Sequence, residues 1–168
     1  MFEALVGVRI KDYFESNDIF TPTQFGFRQN CSCELALNTI IDIWRSKLDT
    51  KQHVLPVLLD LSKAFDTLDH TLLLLKLKLY GFEKNAINLL TNYLSNRYNI
   101  TKLYDKTSKK ELSTVGVPQG SILGPLLFII YMNDLSFLNI KSDIFLFADD
   151  TTLSHYGSDT SSLFKEKR

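Results

Sequence analysis

The segment Phe147-Ala148-Asp149-Asp150 limits what this chain can fold into more than any other. It lies between two short runs with strand-like side chains, residues 144–147 and 151–153. The spacing predicts strand, tight turn, strand. Aspartate suits a turn because its carboxylate bonds nearby backbone. Two adjacent carboxylates also repel one another unless a cation relieves them. Read alone, the pair is either ordinary turn chemistry or part of a cation site.

A third carboxylate stands in a related setting. In Leu58-Leu59-Asp60-Leu61, Asp60 closes an apolar run at residues 54–61. The run predicts a buried strand, although Pro56 argues for an edge or an irregular start. A carboxylate buried unpaired among leucines is strongly disfavoured, so a positive group is expected near Asp60. Asp60, Asp149 and Asp150 together would make a hard-oxygen site suited to Mg²⁺. Two such ions about 3.5–4 Å apart activate an attacking hydroxyl and stabilise a leaving phosphate, which is phosphoryl-transfer chemistry.

Two further segments carry polar groups in small-residue settings. In Val115-Gly116-Val117-Pro118-Gln119-Gly120-Ser121-Ile122-Leu123-Gly124-Pro125, a helix start at Gly120 and Ser121 leaves backbone N–H groups for a ligand. Gln119 adds an amide donor and acceptor; the ordinary alternative is a plain loop-to-helix cap. In Gln24-Phe25-Gly26-Phe27-Arg28, the arginine could grip phosphate bidentately or form a surface ion pair.

Helical spacing is expected at residues 4–14, 34–48, 70–80, 84–94 and 122–135. Residues 100–104 and 111–117 are expected to pair as a hairpin across a turn at residues 106–110. Helices and strands alternate irregularly, which points to an α+β fold. Residues 161–168 are polar and charged.

The chain has 168 residues, 45% apolar and 23% charged, enough for one domain with a real core. Its net charge of +0 weighs against a complete nucleic-acid-binding protein, and less against a part of one. Cys31 and Cys33, with only Ser32 between them, make a poor disulfide and have no second pair for zinc. His53, His70 and His155 fit no nucleophilic triad or zinc pattern and are expected to be structural or exposed. The first residues lack a signal-peptide pattern. The longest apolar stretch, residues 122–132, is too short to span a bilayer and holds Gly124 and Pro125. The expected setting is intracellular, in cytoplasm or nucleus and not secreted, with no membrane partner.

Taken in order, these segments resemble the reverse transcriptases of non-LTR (LINE-like) retrotransposons, over residues 8–156 or so. Gln24 to Arg28 is similar to that family's finger motif. Leu59-Asp60-Leu61-Ser62-Lys63-Ala64-Phe65-Asp66-Thr67 is similar to its first palm motif. Tyr80-Gly81-Phe82 and Tyr93-Leu94-Ser95-Asn96-Arg97 match intervening helices. Gly116 to Pro125, continuing to Tyr131-Met132-Asn133-Asp134-Leu135, is similar to the Pro-Gln-Gly motif and its helix. Phe147-Ala148-Asp149-Asp150 is similar to the catalytic dipeptide motif. A group II intron maturase is the nearest alternative, but Ser62 to Asp66 and Tyr93 to Arg97 favour the retrotransposon.

The resemblance implies the fingers and palm of a right-hand polymerase, with a small antiparallel palm sheet backed by helices and the thumb absent. It implies that residues 1–55 and 70–117 are mainly fingers, and 56–69 and 118–158 mainly palm. Asp60, Asp149 and Asp150 would be catalytic and hold two Mg²⁺ ions. Phe65 would sit under the sugar of the incoming nucleotide, Gln119 and Gly120 would line the nucleotide and template side, and Arg28 would face the triphosphate or the template. Asp66 would be structural, accepting from nearby backbone; Lys63 would be a solvated palm residue or a nucleic-acid contact. The implied partners are an RNA template, a DNA primer and deoxynucleoside triphosphates. Nothing after Tyr156 resembles the family's primer grip or thumb, so the chain by itself is expected not to polymerise at a useful rate.

Overall fold

The structure is a computed structural model that describes residues 1–159 and Leu163, so most of the polar stretch at 161–168 lies outside the described residues. In chain order its elements are helix α1 (Phe2–Ser16), helix α2 (Cys33–Asp49), strand β1 (His53–Leu59), a 3-10 turn at Ala64–Asp66, and helices α3 (His70–Leu79) and α4 (Lys84–Leu94). Four short strands follow: β2 (Arg97–Asn99), β3 (Lys102–Leu103), β4 (Lys106–Thr107) and β5 (Glu111–Ser113). Helix α5 (Leu123–Met132), a 3-10 turn at Asn133–Phe137, and strands β6 (Ser142–Phe147) and β7 (Asp150–Gly157) complete it. Among the described residues, no helix is long and apolar enough to cross a membrane.

The chain divides into two compact units, Met1–Ile19 with Lys63–Tyr131, and Phe20–Ser62 with Met132–Arg168. The first is mainly helical. Helix α5 is apolar on every side, as a fully buried helix must be; Leu123, Leu127, Ile129 and Ile130 are completely enclosed. Pro125 falls in its first turn, where a missing N–H breaks no helical bond. Helix α3 is capped by Asp69, whose Oδ1 accepts from Leu72 N–H at 2.8 Å. It closes with Phe82 N–H bonded to Leu77 O and Gly81 N–H to Lys78 O, a Schellman ending. Tyr13, Phe14, Tyr80 and Phe82 then meet edge to face around that ending.

The second unit is an antiparallel sheet in the order β1-β7-β6 with α2 laid against it. Ser32 starts α2 by accepting from Leu35 N–H at 3.1 Å. Phe25, Ala36 and Phe145 form the buried centre between helix and sheet, with Cys31, Ile40, Ile43 and Phe147 packed around it. Trp44 Nε1 donates to the buried Ser154 Oγ at 2.8 Å and fixes the helix to β7. Cys31 and Cys33 are both free thiols. His155 bonds Ser142 and Lys141 at the far end of the sheet, and in the first unit His70 bonds Gly116 O.

Two expectations change. The run at 54–61 is a strand but not a buried one. As the outer strand of its sheet, β1 leaves Val57, Leu58 and Leu59 exposed, Leu58 at 78%. Pro56 marked the edge, where a missing N–H breaks no second ladder. The expected hairpin has a different register. Arg97–Asn99 pair with Glu111–Ser113, and Lys102–Leu103 pair with Lys106–Thr107, so the chain reverses at Tyr104-Asp105. Thr101 and Ser108 bond each other between the two ladders, which draws Lys106 into a strand instead of a turn.

Candidate active site

Strand register carries the three aspartates to the same end of the sheet in the second unit. Leu59 pairs with Thr151, so Asp60 leaves β1 at the end where β7 begins. Phe147 pairs with Asp150, and Ala148-Asp149 is the two-residue turn between them. Because β7 lies between β1 and β6, Asp60, Asp149 and Asp150 are all carried to one end of the sheet. Asp60 and Asp150 are exposed and Asp149 is half-buried. The positive neighbour expected for a buried Asp60 is therefore not required, because water solvates that carboxylate. Among the described residues, no group of three or more His, Cys, Asp or Glu side chains is placed so that it could hold a metal ion. Carboxylates are, by their chemistry, the hard-oxygen ligands that Mg²⁺ takes alongside its waters.

The turn that holds Asp149 is clamped from beneath. Ala148 has φ 58, a left-handed conformation that glycine occupies most easily in two-residue hairpins. A side chain there is retained only where its surroundings over-determine it. The finger-motif segment does this. Gln24 forms a parallel bridge with Leu146, Phe25 N–H donates to Leu146 O at 2.8 Å, and Leu146 N–H donates to Thr23 O at 2.8 Å. The Gln24 side chain, 1% exposed, accepts through Oε1 from Ala148 N–H at 3.0 Å and from Gly26 N–H at 2.7 Å. Both partners are donors, which fixes Oε1 as the atom facing them. A Cβ on Gly26 would stand 2.3 Å from Ala148 N, so only glycine permits this approach.

Arg28 belongs to the same loop. Its Nη1 donates to Thr21 O at 2.9 Å and its guanidinium lies 5.3 Å from the centre of the Phe20 ring. Thr21 N–H in turn donates to the buried Asn133 Oδ1 at 2.8 Å.

Phe65, Gln119 and Gly120 fall in the first unit, where the structure joins two motifs 50 or so residues apart. Val117 N–H donates to Phe65 O at 2.8 Å, and Gly116 N–H donates to Leu68 O at 2.7 Å. Gly116 has φ 81, and a Cβ there would meet the Asp66 backbone at 2.7 Å. The half-buried Phe65 ring rests on Phe128 of α5, centroids 4.5 Å apart. Gln119 Nε2 donates to Asp66 Oδ1 at 2.9 Å. Asp66 is therefore an acceptor, as expected, but for a side chain instead of backbone. Gly120 is exposed with open space where a side chain would project. Lys63 is exposed at φ 54, the left-handed residue that starts the 3-10 turn.

Sequence reading placed Gln24 in a motif but gave its role to Arg28 alone. A glutamine followed two residues later by glycine carries no local sign that its amide will bond a strand turn 124 positions away.

The fold is that of the fingers and palm of a right-hand polymerase, mixed helix with a small antiparallel sheet. It matches telomerase from Candida tropicalis, solved with a fragment of telomeric RNA, at a TM-score of 0.67 and 14% identity, covering 98% of this chain and 30% of that one. That likeness is one of fold. Over residues 1–165 the chain matches the family described as reverse transcriptase (RNA-dependent DNA polymerase), and it belongs to that family. It is 33% identical over 160 residues to the probable RNA-directed DNA polymerase from transposon X-element of Drosophila melanogaster, covering 92% of this chain and 17% of the relative. The corresponding protein from transposon BS of the same fly is 30% identical over 160 residues, with coverages of 91% and 18%. The domain is thus of the LINE-like, non-LTR kind, in a family that uses divalent metals, and the chain spans less than a fifth of these relatives' length.

Proposed function

We propose that this chain carries the reacting end of an RNA-directed DNA polymerase, which joins a deoxynucleoside triphosphate to a DNA primer 3′-hydroxyl opposite an RNA template. The observation behind this reading is the strand register that gathers Asp60, Asp149 and Asp150 at one sheet end. These carboxylates would hold two Mg²⁺ ions, which when bound activate the attacking hydroxyl and stabilise the leaving pyrophosphate. The remaining work is positioning. Gln24 and the Thr23–Leu146 bonds hold the Ala148-Asp149 turn in one conformation. Arg28 faces the triphosphate or template with its side chain braced on Phe20 and Thr21. Gln119 and Gly120 line the nucleotide and template side, and the Gln119–Asp66 bond keeps their loop in register with Phe65. Residues 56–69 and 118–158 serve mainly as palm, and 1–55 and 70–117 mainly as fingers.

Phe65 selects the sugar. Its ring is held by Phe128 and offers an apolar edge with no hydrogen-bonding group. A 2′-hydroxyl pressed there loses its water and gains no partner. The test is single-nucleotide primer extension on an RNA template with Mg²⁺, protein in excess. The wild-type chain is expected to add one complementary deoxynucleotide slowly, without processive extension. Phe65→Ala is expected to raise ribonucleotide addition relative to deoxynucleotide addition about tenfold or more. Template-independent addition by the wild type would contradict the polymerase reading; an unchanged sugar ratio in Phe65→Ala would remove Phe65 from the site.

A further inference from the structure

The residues between Arg97 and Ser113 form a thin arm. Two ladders, β2 with β5 and β3 with β4, stack end to end and turn at Tyr104-Asp105. Every residue from 98 to 112 is exposed. Lys102, Lys106, Lys109 and Lys110 stand against only Asp105 and Glu111, in a chain whose overall charge is +0. The arm is thus net basic in a chain that is neutral overall. Tyr98 and Tyr104 are exposed on the same arm.

Tyr104 is the telling residue. It is 89% exposed, at the apex, with φ 53. It occupies the first position of a two-residue turn, where glycine or asparagine relieves the backbone and a bulky ring does not. A two-stranded ribbon is marginal by itself and gains nothing from a strained tyrosine in water. Strain of this kind is kept where the side chain is used.

We propose that this arm binds single-stranded RNA, the lysines tracking the phosphates and Tyr104 stacking on an unpaired base. Lysine offers a point charge without base-edge geometry, which suits a backbone contact indifferent to sequence. An exposed aromatic ring stacks on any base. The charge of the ribbon is complementary to phosphate. Naming the strand as the RNA template rests on the polymerase reading; the stacking and charge contacts do not.

The test measures binding of a fluorescent unstructured RNA oligonucleotide to the full chain over a range of salt concentrations. Tyr104→Gly is expected to weaken binding about tenfold while leaving the melting temperature unchanged or raised, because glycine takes φ 53 without strain. Tyr104→Phe is expected to bind like wild type. Changing Lys102, Lys106, Lys109 and Lys110 together to Gln is expected to lower the slope of log affinity against log salt by about 3. Asp149→Asn is expected to bind RNA normally, so loss of nucleotide transfer and loss of arm binding are read on separate variants. Wild-type affinity in Tyr104→Gly, an unchanged salt slope in the lysine variant, or equal losses in Tyr104→Phe and Tyr104→Gly would overturn the proposal. So would arm-dependent binding that is tighter to duplex RNA or to phosphatidylserine vesicles than to the single strand.

Discussion

Gly26→Ala is expected to destabilise the protein by about 3 kcal/mol or more, lowering its melting temperature by roughly 6–12 °C. The added methyl would meet Ala148 N at 2.3 Å and Ala148 Cα at 2.9 Å. Those atoms are backbone and cannot swing aside like a flexible side chain. Relief requires the finger-motif segment to lift from β6, and that breaks the Gln24 bond to Ala148 N–H and the Phe25 bond to Leu146 O. Gln24 Oε1 would keep Gly26 N–H, but the buried Ala148 N–H would lose its acceptor, adding a penalty of its own. The damage should reach chemistry as well as stability, since the freed turn is the one that carries Asp149. Thermal unfolding by circular dichroism checks it; a melting temperature within about 2 °C of wild type would show that the close approach is not a constraint in solution.

Asp149→Asn and Asp60→Asn are each expected to reduce template-directed nucleotide addition by at least 10²–10³-fold or so, the scale on which removing one preorganised electrostatic group acts. The substitution keeps shape and removes a charge and, on the proposed reading, an oxygen that would hold metal. Asp66→Asn supplies the comparison. It lies only six residues beyond Asp60, but its Oδ1 accepts from Gln119 Nε2, and asparagine retains that acceptor. Its loss should stay within about tenfold, the worth of one ordinary hydrogen bond. If Asp66→Asn were as damaging as Asp149→Asn, the division between metal-holding and structural aspartates would fail.

The sequence was informative where chemistry and local pattern coincide. Asp149-Asp150 between two β-prone runs forecast a hairpin, and the structure has one, shifted by a residue so that the turn is Ala148-Asp149. Helices α3 and α4 follow from apolar spacing and a glycine between them, and their bounds are nearly those expected. The exposure of β1 was not legible, because a run of Val and Leu looks the same in a central strand and an outer one. Only Pro56 distinguished them, and it marked one position without excluding the rest. The arm misled for a related reason. A lysine-rich run resembles a turn in composition, whereas its register is set by the Thr101–Ser108 contact and by a tyrosine at positive φ, neither of which has a signature in sequence. The Gln24 clamp and the Gln119–Asp66 bond each link residues far apart in the chain, so they become visible only once the strands and loops are placed.

Titration of the chain with Mn²⁺, used in place of Mg²⁺ and followed by the loss of its free-ion electron paramagnetic signal, tests the carboxylate site most directly because it needs no primer, template or turnover. The wild-type chain is expected to bind Mn²⁺, with at least about tenfold weaker binding in both Asp60→Asn and Asp149→Asn, melting temperatures unchanged, and Asp66→Asn like wild type. Binding that is indifferent to Asp60 and Asp149 would contradict a divalent-metal site at this end of the sheet.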